Sequence, residues 1–229
     1  MRRRLLSLAK RLLYKVGSIG YPWYENAIGG MWEEIGRLQF DFLVAEGLEP
    51  TDSLLDVGCG SLRGGLHFIR YLERGHYCGV DRDRELLLAG SKLVKDKRLT
   101  EKEPRLVQMG DFSFQSLGSR FDYALAQSVF THLSLNEIIR CLVGIDAVLE
   151  PGARFYATFF ENAEGKANLR SVTHPTIDRQ PLRTHFDSDP YHYDVSTFQW
   201  ACEGLGLTPR YIGEWDHPRN QMMIVFNKS

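Results

Sequence analysis

The first sixteen residues carry a helical pattern. Leu5, Leu6, Leu8, Ala9, Leu12, Leu13 and Val16 fall within an arc of roughly 160° when placed at 100° per residue, which predicts an amphipathic helix over Arg2–Val16. Residues 17–30, rich in glycine and aromatic rings, read as a loop. Trp32, Ile35, Leu38, Phe42 and Ala45 return at helical spacing and predict a helix over Met31–Glu46, with Gly36 as its weak point and Gly47 as its C-cap. From there the pattern alternates. Strands are expected at Ser53–Val57, Tyr77–Val80, Leu106–Met109, Phe121–Gln127 and Arg154–Phe160, the last introduced by the turn Glu150-Pro151-Gly152. Helices are expected at Gly64–Leu72, Arg84–Val94 and Leu135–Leu149. After an irregular stretch over 161–193, a helix over Asp194–Leu205 and two strands, Leu207–Glu214 and Gln221–Asn227, close the chain as an antiparallel hairpin.

Repeated βαβ units of this size imply a parallel sheet with helices on both faces, and ligands seated at the carboxyl ends of its strands. The expected architecture is α/β: a Rossmann-like, seven-stranded, mostly parallel sheet with an antiparallel last strand. Residues 1–48 form an N-terminal helical extension or cap, and residues 49–229 form one domain with a lid-like insertion at 161–193. A loop of that length in a compact domain is uncommon unless it has a job.

At 229 residues the chain suits one large α/β domain rather than two. The net charge of −1 argues against binding nucleic acid by bulk electrostatics, but it is unevenly spread. Arg2, Arg3, Arg4, Lys10, Arg11 and Lys15 stand in the first fifteen residues without an acid, leaving the remainder at about −7. Cys59, Cys78, Cys141 and Cys202 are widely spaced, which suggests neither a disulfide framework nor a zinc site and fits a reducing cytoplasm. No run reaches the ~20 apolar residues of a membrane span. The basic N-terminal segment imitates a signal peptide, but Lys10 and Arg11 interrupt its apolar stretch and no small-residue cleavage site follows.

Candidate chemistry collects at four strand ends. The first runs Leu54-Leu55-Asp56-Val57-Gly58-Cys59-Gly60 into a helix near Arg63, a glycine turn that lets a ligand approach the main chain. The second ends in Asp81, about 20 residues on, where a carboxylate can hold both ribose hydroxyls. The third gives Gly110-Asp111-Phe112, and the fourth Gln127-Ser128-Val129-Phe130-Thr131-His132. With these residues the sequence resembles the class I S-adenosylmethionine-dependent methyltransferases over about Ser53–Phe160. The resemblance implies S-adenosyl-L-methionine as cofactor. Asp56, Gly58, Cys59 and Gly60 would hold its methionine part, Asp81 the ribose, Asp111 and Phe112 the adenine, and Gln127 the region of the amine and methyl. Arg63 is a candidate charge partner for the cofactor carboxylate, or else a solvated first-turn side chain. The family's frequent third glycine is replaced here, and the fourth strand lacks the Asn/Asp-Pro-Pro-Tyr signature of adenine-N6 and glutamine methyltransferases. Gln127–Leu133 looks more like the small-molecule branch.

Methyl transfer from a sulfonium needs donor and acceptor held in line, and an oxygen acceptor also benefits from a base. His132 is the first candidate base, with His185 and His192 of the insertion behind it; no metal is expected. The expected activity is methylation of a small molecule at oxygen, with a glycan or lipid-linked acceptor as one form and no nucleic-acid partner. Three roles remain open for residues 1–16: a peripheral contact with the inner membrane surface, docking on a partner, or capping the pocket. Two other classes also stand: a nicotinamide oxidoreductase, disfavoured by Leu62 and Arg63 where its third glycine belongs, and a catalytically inactive module acting through its basic helix.

Overall fold

The computed structural model describes residues 22–165, 169–177 and 180–229, so the helix expected over Arg2–Val16 lies outside the described residues. Part of the expected loop before residue 30 is helical, a short α1 at Trp23–Ala27. Helix α2 follows at Trp32–Ala45. The alternation then gives β1 Leu54–Val57, α3 Gly65–Tyr71, β2 Tyr77–Asp81, α4 Arg84–Asp96, β3 Arg105–Gln108, β4 Phe121–Ala126, α5 Leu135–Asp146 and β5 Leu149–Glu161. The insertion holds β6 Val172–His174, β7 Leu182–Thr184 and β8 His192–Tyr193, and the chain ends with α6 Val195–Ala201, β9 Leu207–Gly213 and β10 Met222–Lys228.

The main sheet runs β3-β2-β1-β4-β5-β10-β9, with β8 paired to β5 beside that path. The seven expected strands are all in it. Strands β1 to β5 pair in parallel, and β10 lies antiparallel between β5 and β9. Glu150-Pro151-Gly152 is not a turn before a strand. It sits within β5, where the pairing with β4 shifts register between Phe121 and Tyr123 and Gly152 adopts φ +83°, a bulge that absorbs the extra residues.

Period-two alternation sends neighbouring side chains to opposite faces. Leu55, Val57, Ala124, Ala126, Phe155, Ala157, Ile224 and Phe226 pack with α5 and α6 residues such as Ile138, Leu142 and Phe198. Leu54, Leu125, Tyr156, Met223 and Val225 pack with Leu43 of α2, Phe68 of α3 and Leu87 of α4. Fully burying each Leu, Val or Phe contributes about 1.5–3 kcal/mol, so both layers are held by many such increments. Helix starts are marked by side chains that satisfy free N–H groups: Asp83 accepts from Glu85, Asp194 from Ser196, and Ser134 pairs with Glu137 in a capping box. Gly36, an apparent flaw in α2, has a packing reason. A Cβ there would stand 2.5 Å from the Arg63 carbonyl oxygen, so its absence lets α2 lie against the start of α3.

Candidate active site

The glycine turn after β1 is fixed to its neighbour strand. Gly58 N and Cys59 N both donate to Val80 O, at 2.8 and 3.1 Å. Gly58 and Gly60 adopt φ +70° and +55°, the left-handed region that L side chains avoid. At the end of β2, the Asp81 carboxylate accepts from Gly60 N at 2.8 Å and from Asp83 N at 2.7 Å. One acid thus binds the turn to the second strand. Burial raises the Asp81 pKa, and the two backbone N–H bonds oppose that rise. Asp56, 4 % exposed, accepts from Tyr77 Oη at 2.6 Å. Burial pushes its carboxyl up to about 7, against the lowering effect of that bond.

Phe112, with φ +62°, lies beyond β3, and Ser128, with φ +57°, beyond β4. Non-glycine residues in this region are uncommon, and such outliers gather at binding sites. Ser128 N donates to Thr158 Oγ1 at 2.7 Å, and Thr158 Oγ1 and Ser128 Oγ both donate to Gln221 Oε1, at 2.7 and 3.0 Å. Gln127 Nε2 donates to Ser128 Oγ at 2.9 Å and meets His217 Nε2 at 3.1 Å. Strands β4, β5 and β10 are therefore joined by a buried polar chain at their ligand-facing ends.

These strand ends border a cavity of about 560 Å³, lined in part by Asp56, Gly58, Cys59, Gly60, Arg63, Asp81, Phe112, Gln127 and His132. Asp111 is not in its wall; hydrogen bonding from the Ser113 side chain, and from Ser113 N at 3.1 Å, holds its carboxylate below the usual range. Cys59 is buried, and the same burial raises its thiol pKa well above the ordinary value, so it packs rather than reacts.

Arg63 is not a solvated side chain. It is 6 % exposed, its Nη1 donates to Ile28 O at 3.3 Å and Gly30 O at 2.9 Å, and burial beside Arg219 lowers its pKa to about 10. Arg219 donates to Gly29 O, and Ser61 Oγ donates to Tyr24 O at 3.1 Å. The segment around α1 is thereby drawn over the cavity, where Asn26, Ala27, Ile28 and Gly29 form wall.

Sequence reasoning did not single out Arg219, Gln221, Gln39 or Phe160, all of which line the cavity. A signal existed for two of them. Because β10 runs antiparallel to β5, with Met222 opposite Phe159, the loop leading into β10 must lie at the carboxyl ends of the parallel strands.

Of the three candidate histidines, only His132 lines the cavity. His185 N donates to Pro190 O within the insertion. His192 is buried, its Nδ1 2.8 Å from Thr184 Oγ1, which also lies 3.0 Å from His174 Nε2. Through Thr184 the two histidines tie the insertion's three short strands to one another, and His174 Nδ1 also lies 3.4 Å from Asn220 Nδ2. Among the described residues, no three His, Cys, Asp or Glu side chains gather as a metal site, and no helix is long and apolar enough to cross a membrane.

Residues 55–155 match the family model described as a methyltransferase domain. An uncharacterized methyltransferase of Schizosaccharomyces pombe is 25% identical over 184 residues, covering 68% of this chain. The chain spans only 64% of that relative's length. Among solved structures, magnesium protoporphyrin IX methyltransferase from Synechocystis, with S-adenosylhomocysteine bound, superposes with a TM-score of 0.62 at 13% identity, over 97% of this chain and 94% of that one. An amino pentose methyltransferase from Micromonospora echinaspora, with S-adenosylmethionine bound, gives 0.63 at 16% identity, over 93% and 99%. At such identities the likeness is one of fold. Residues 55–155 thus match a methyltransferase domain in sequence, and the chain as a whole shares its fold with S-adenosylmethionine-dependent methyltransferases.

Proposed function

We propose that the protein binds S-adenosylmethionine at the glycine turn and transfers its methyl group to a hydroxyl of a small molecule. The observation that carries this reading is the tie between Asp81 and Gly60 N, which sets a ribose-binding carboxylate beside a glycine seat on one cavity. The cavity's size falls within the range of small-molecule sites, about 300–1,000 Å³. Two buried polar atoms in its lining residues, Arg63 Nε and Gln127 Oε1, lack a partner. A donor and an acceptor of this kind suit the carboxylate and ammonium of the cofactor's amino-acid end. Asp56, when ionised, adds negative charge on that side, Phe112 offers its ring to the adenine, and Asp111 stands beside it just beyond β3.

The cofactor brings an activated methyl, so the protein's task is alignment and exclusion of water. His132 is the base for the acceptor hydroxyl, the one candidate histidine on the cavity wall. The solved relatives' porphyrin and amino pentose acceptors support a small-molecule or glycan-like substrate. For residues 1–16 we retain contact with an anionic membrane surface; unchanged liposome sedimentation after their deletion would remove it.

Calorimetric titration with S-adenosylhomocysteine tests the cofactor assignment. Wild-type protein is expected to bind in the micromolar range and Asp81→Ala to lose binding. Absence of wild-type binding overturns the methyltransferase reading.

A further inference from the structure

The acceptor end of the cavity is bounded by Thr131, His132 and Leu133 on one side and by Pro190 of the insertion on the other. The two strands of chain are sutured along their length. Tyr191 N donates to Thr131 O at 2.8 Å, Tyr193 Oη donates to Leu133 O at 2.5 Å, and β8 pairs in parallel with the end of β5 through Phe160 and His192. Between these fixed points, His132 Nδ1 and Asp189 Oδ1 stand 2.6 Å apart.

The geometry points to Asp189 as a positioning residue that holds His132 in the tautomer able to act as base for the transferred methyl's acceptor. This rests on the methyl-transfer reading above. An ionised carboxylate has only acceptor sites, so the ring proton of a neutral His132 must sit on Nδ1, leaving the Nε2 lone pair free. A carboxylate behind an imidazole fixes its ring orientation and its tautomer. Stability is a poor reason for the pair: His132 and Asp189 side chains are 54 % and 57 % exposed, and exposed pairs contribute about 0–1 kcal/mol. In the step itself, the acceptor oxygen forms a bond to the methyl carbon while the carbon–sulfur bond breaks and its electron pair stays on sulfur. The acceptor's proton passes to His132 Nε2. The imidazolium formed is stabilised by Asp189, and its partial exposure lets the proton leave to solvent, so no further relay is needed.

The test is long-range ¹⁵N–¹H NMR on the full chain at alkaline pH, with His132 assigned by loss of its signals in His132→Gln. Wild-type His132 is expected as the Nδ1–H tautomer, with Nε2 at the shift of an unprotonated nitrogen. Asp189→Asn should return it toward the Nε2–H form that free imidazole side chains prefer, and slow acylation of His132 by diethyl pyrocarbonate several-fold, while S-adenosylhomocysteine affinity stays unchanged. A wild-type Nε2–H tautomer, or identical spectra and acylation rates in Asp189→Asn, overturns the proposal. Because cofactor affinity is read separately, a wild type that binds no S-adenosylhomocysteine defeats the methyl-transfer reading, and the base role with it, whatever the tautomer.

Discussion

The two ends of the cavity are built by different means. At the β1–β2 end, residues within 30 positions of one another, Asp56 to Asp83, converge through backbone N–H groups on a rigid parallel pair. At the β4–β5 end, the wall is assembled from Gln127, Pro190 and Gln221, with Gln221 held by side-chain bonds from Ser128 and Thr158 and Pro190 placed by the backbone bond from Tyr191 to Thr131, all across long sequence separations. The first end is a local consequence of strand–turn–helix geometry. The second exists only after tertiary folding is complete. A shared cofactor and a chain-specific acceptor would call for this division, since loops and insertions vary while the strand ends that carry them do not.

The comparison is broken most severely at the local end. Gly58→Val forces a side chain into φ +70° and into a space where even a Cβ stands 2.5 Å from Val129 Cγ2. We expect a loss of about 3 kcal/mol or more in chemical denaturation, from strain and overpacking together, and loss of S-adenosylhomocysteine binding.

Acid should attack the assembled end first. Burial and the neighbouring His192 hold His174 down to about 4, whereas an unfolded histidine titrates near 6.5. The unfolded state therefore takes up a proton first as pH falls. Stability present above about 6.5 is lost progressively toward 4, on the order of 3 kcal/mol for this group, and no further below. Hydrogen exchange in residues 172–177 and 182–184 should rise over that window, and His174→Gln should flatten the dependence.

Tyr77→Phe removes the 2.6 Å bond to Asp56 and should cost about 1–3 kcal/mol by leaving a buried acceptor less satisfied. The same bond lowers the Asp56 pKa, so its loss raises it further. If ionised Asp56 faces the cofactor's ammonium, wild-type affinity for S-adenosylhomocysteine weakens by up to about tenfold per unit as pH falls below about 7. In Tyr77→Phe that fall should begin at higher pH, by calorimetry across pH 5.5–8.5. The smallest effect belongs to the outer face of the insertion. Ile177 is 84 % exposed, and Ile177→Ser should shift stability by no more than ~0.5 kcal/mol.

What could be read from the chain follows the same division. Alternation of strand and helix, and the glycine and acid residues at strand ends, are short-range patterns, and they led directly to the sheet and to one side of the cavity. Arg63 illustrates the limit. Its position at a helix start left a solvated side chain and a charge partner for the cofactor both open; the segment around α1 covers it, and only the tertiary structure reveals that cover. The strands of the insertion, two or three residues each, are too short for periodicity to register and are defined by partners elsewhere. His192 looked like a lid residue from its number alone, yet β8 carries it inward against Thr184. The pairing of His132 with Asp189 spans 57 positions and left no trace in local pattern.

The Arg219–Gly29 bond joins residues 190 positions apart, and it has a consequence for how the protein comes into being. Strands β1 to β5 are all translated by residue 161, so a nascent chain can organise its parallel sheet early. Its binding chamber stays open on one side until the loop before β10 leaves the ribosome. Competence to hold a ligand thus arrives with the final strand, and fragments truncated before Arg219 would present the glycine turn to solvent without the wall that encloses it.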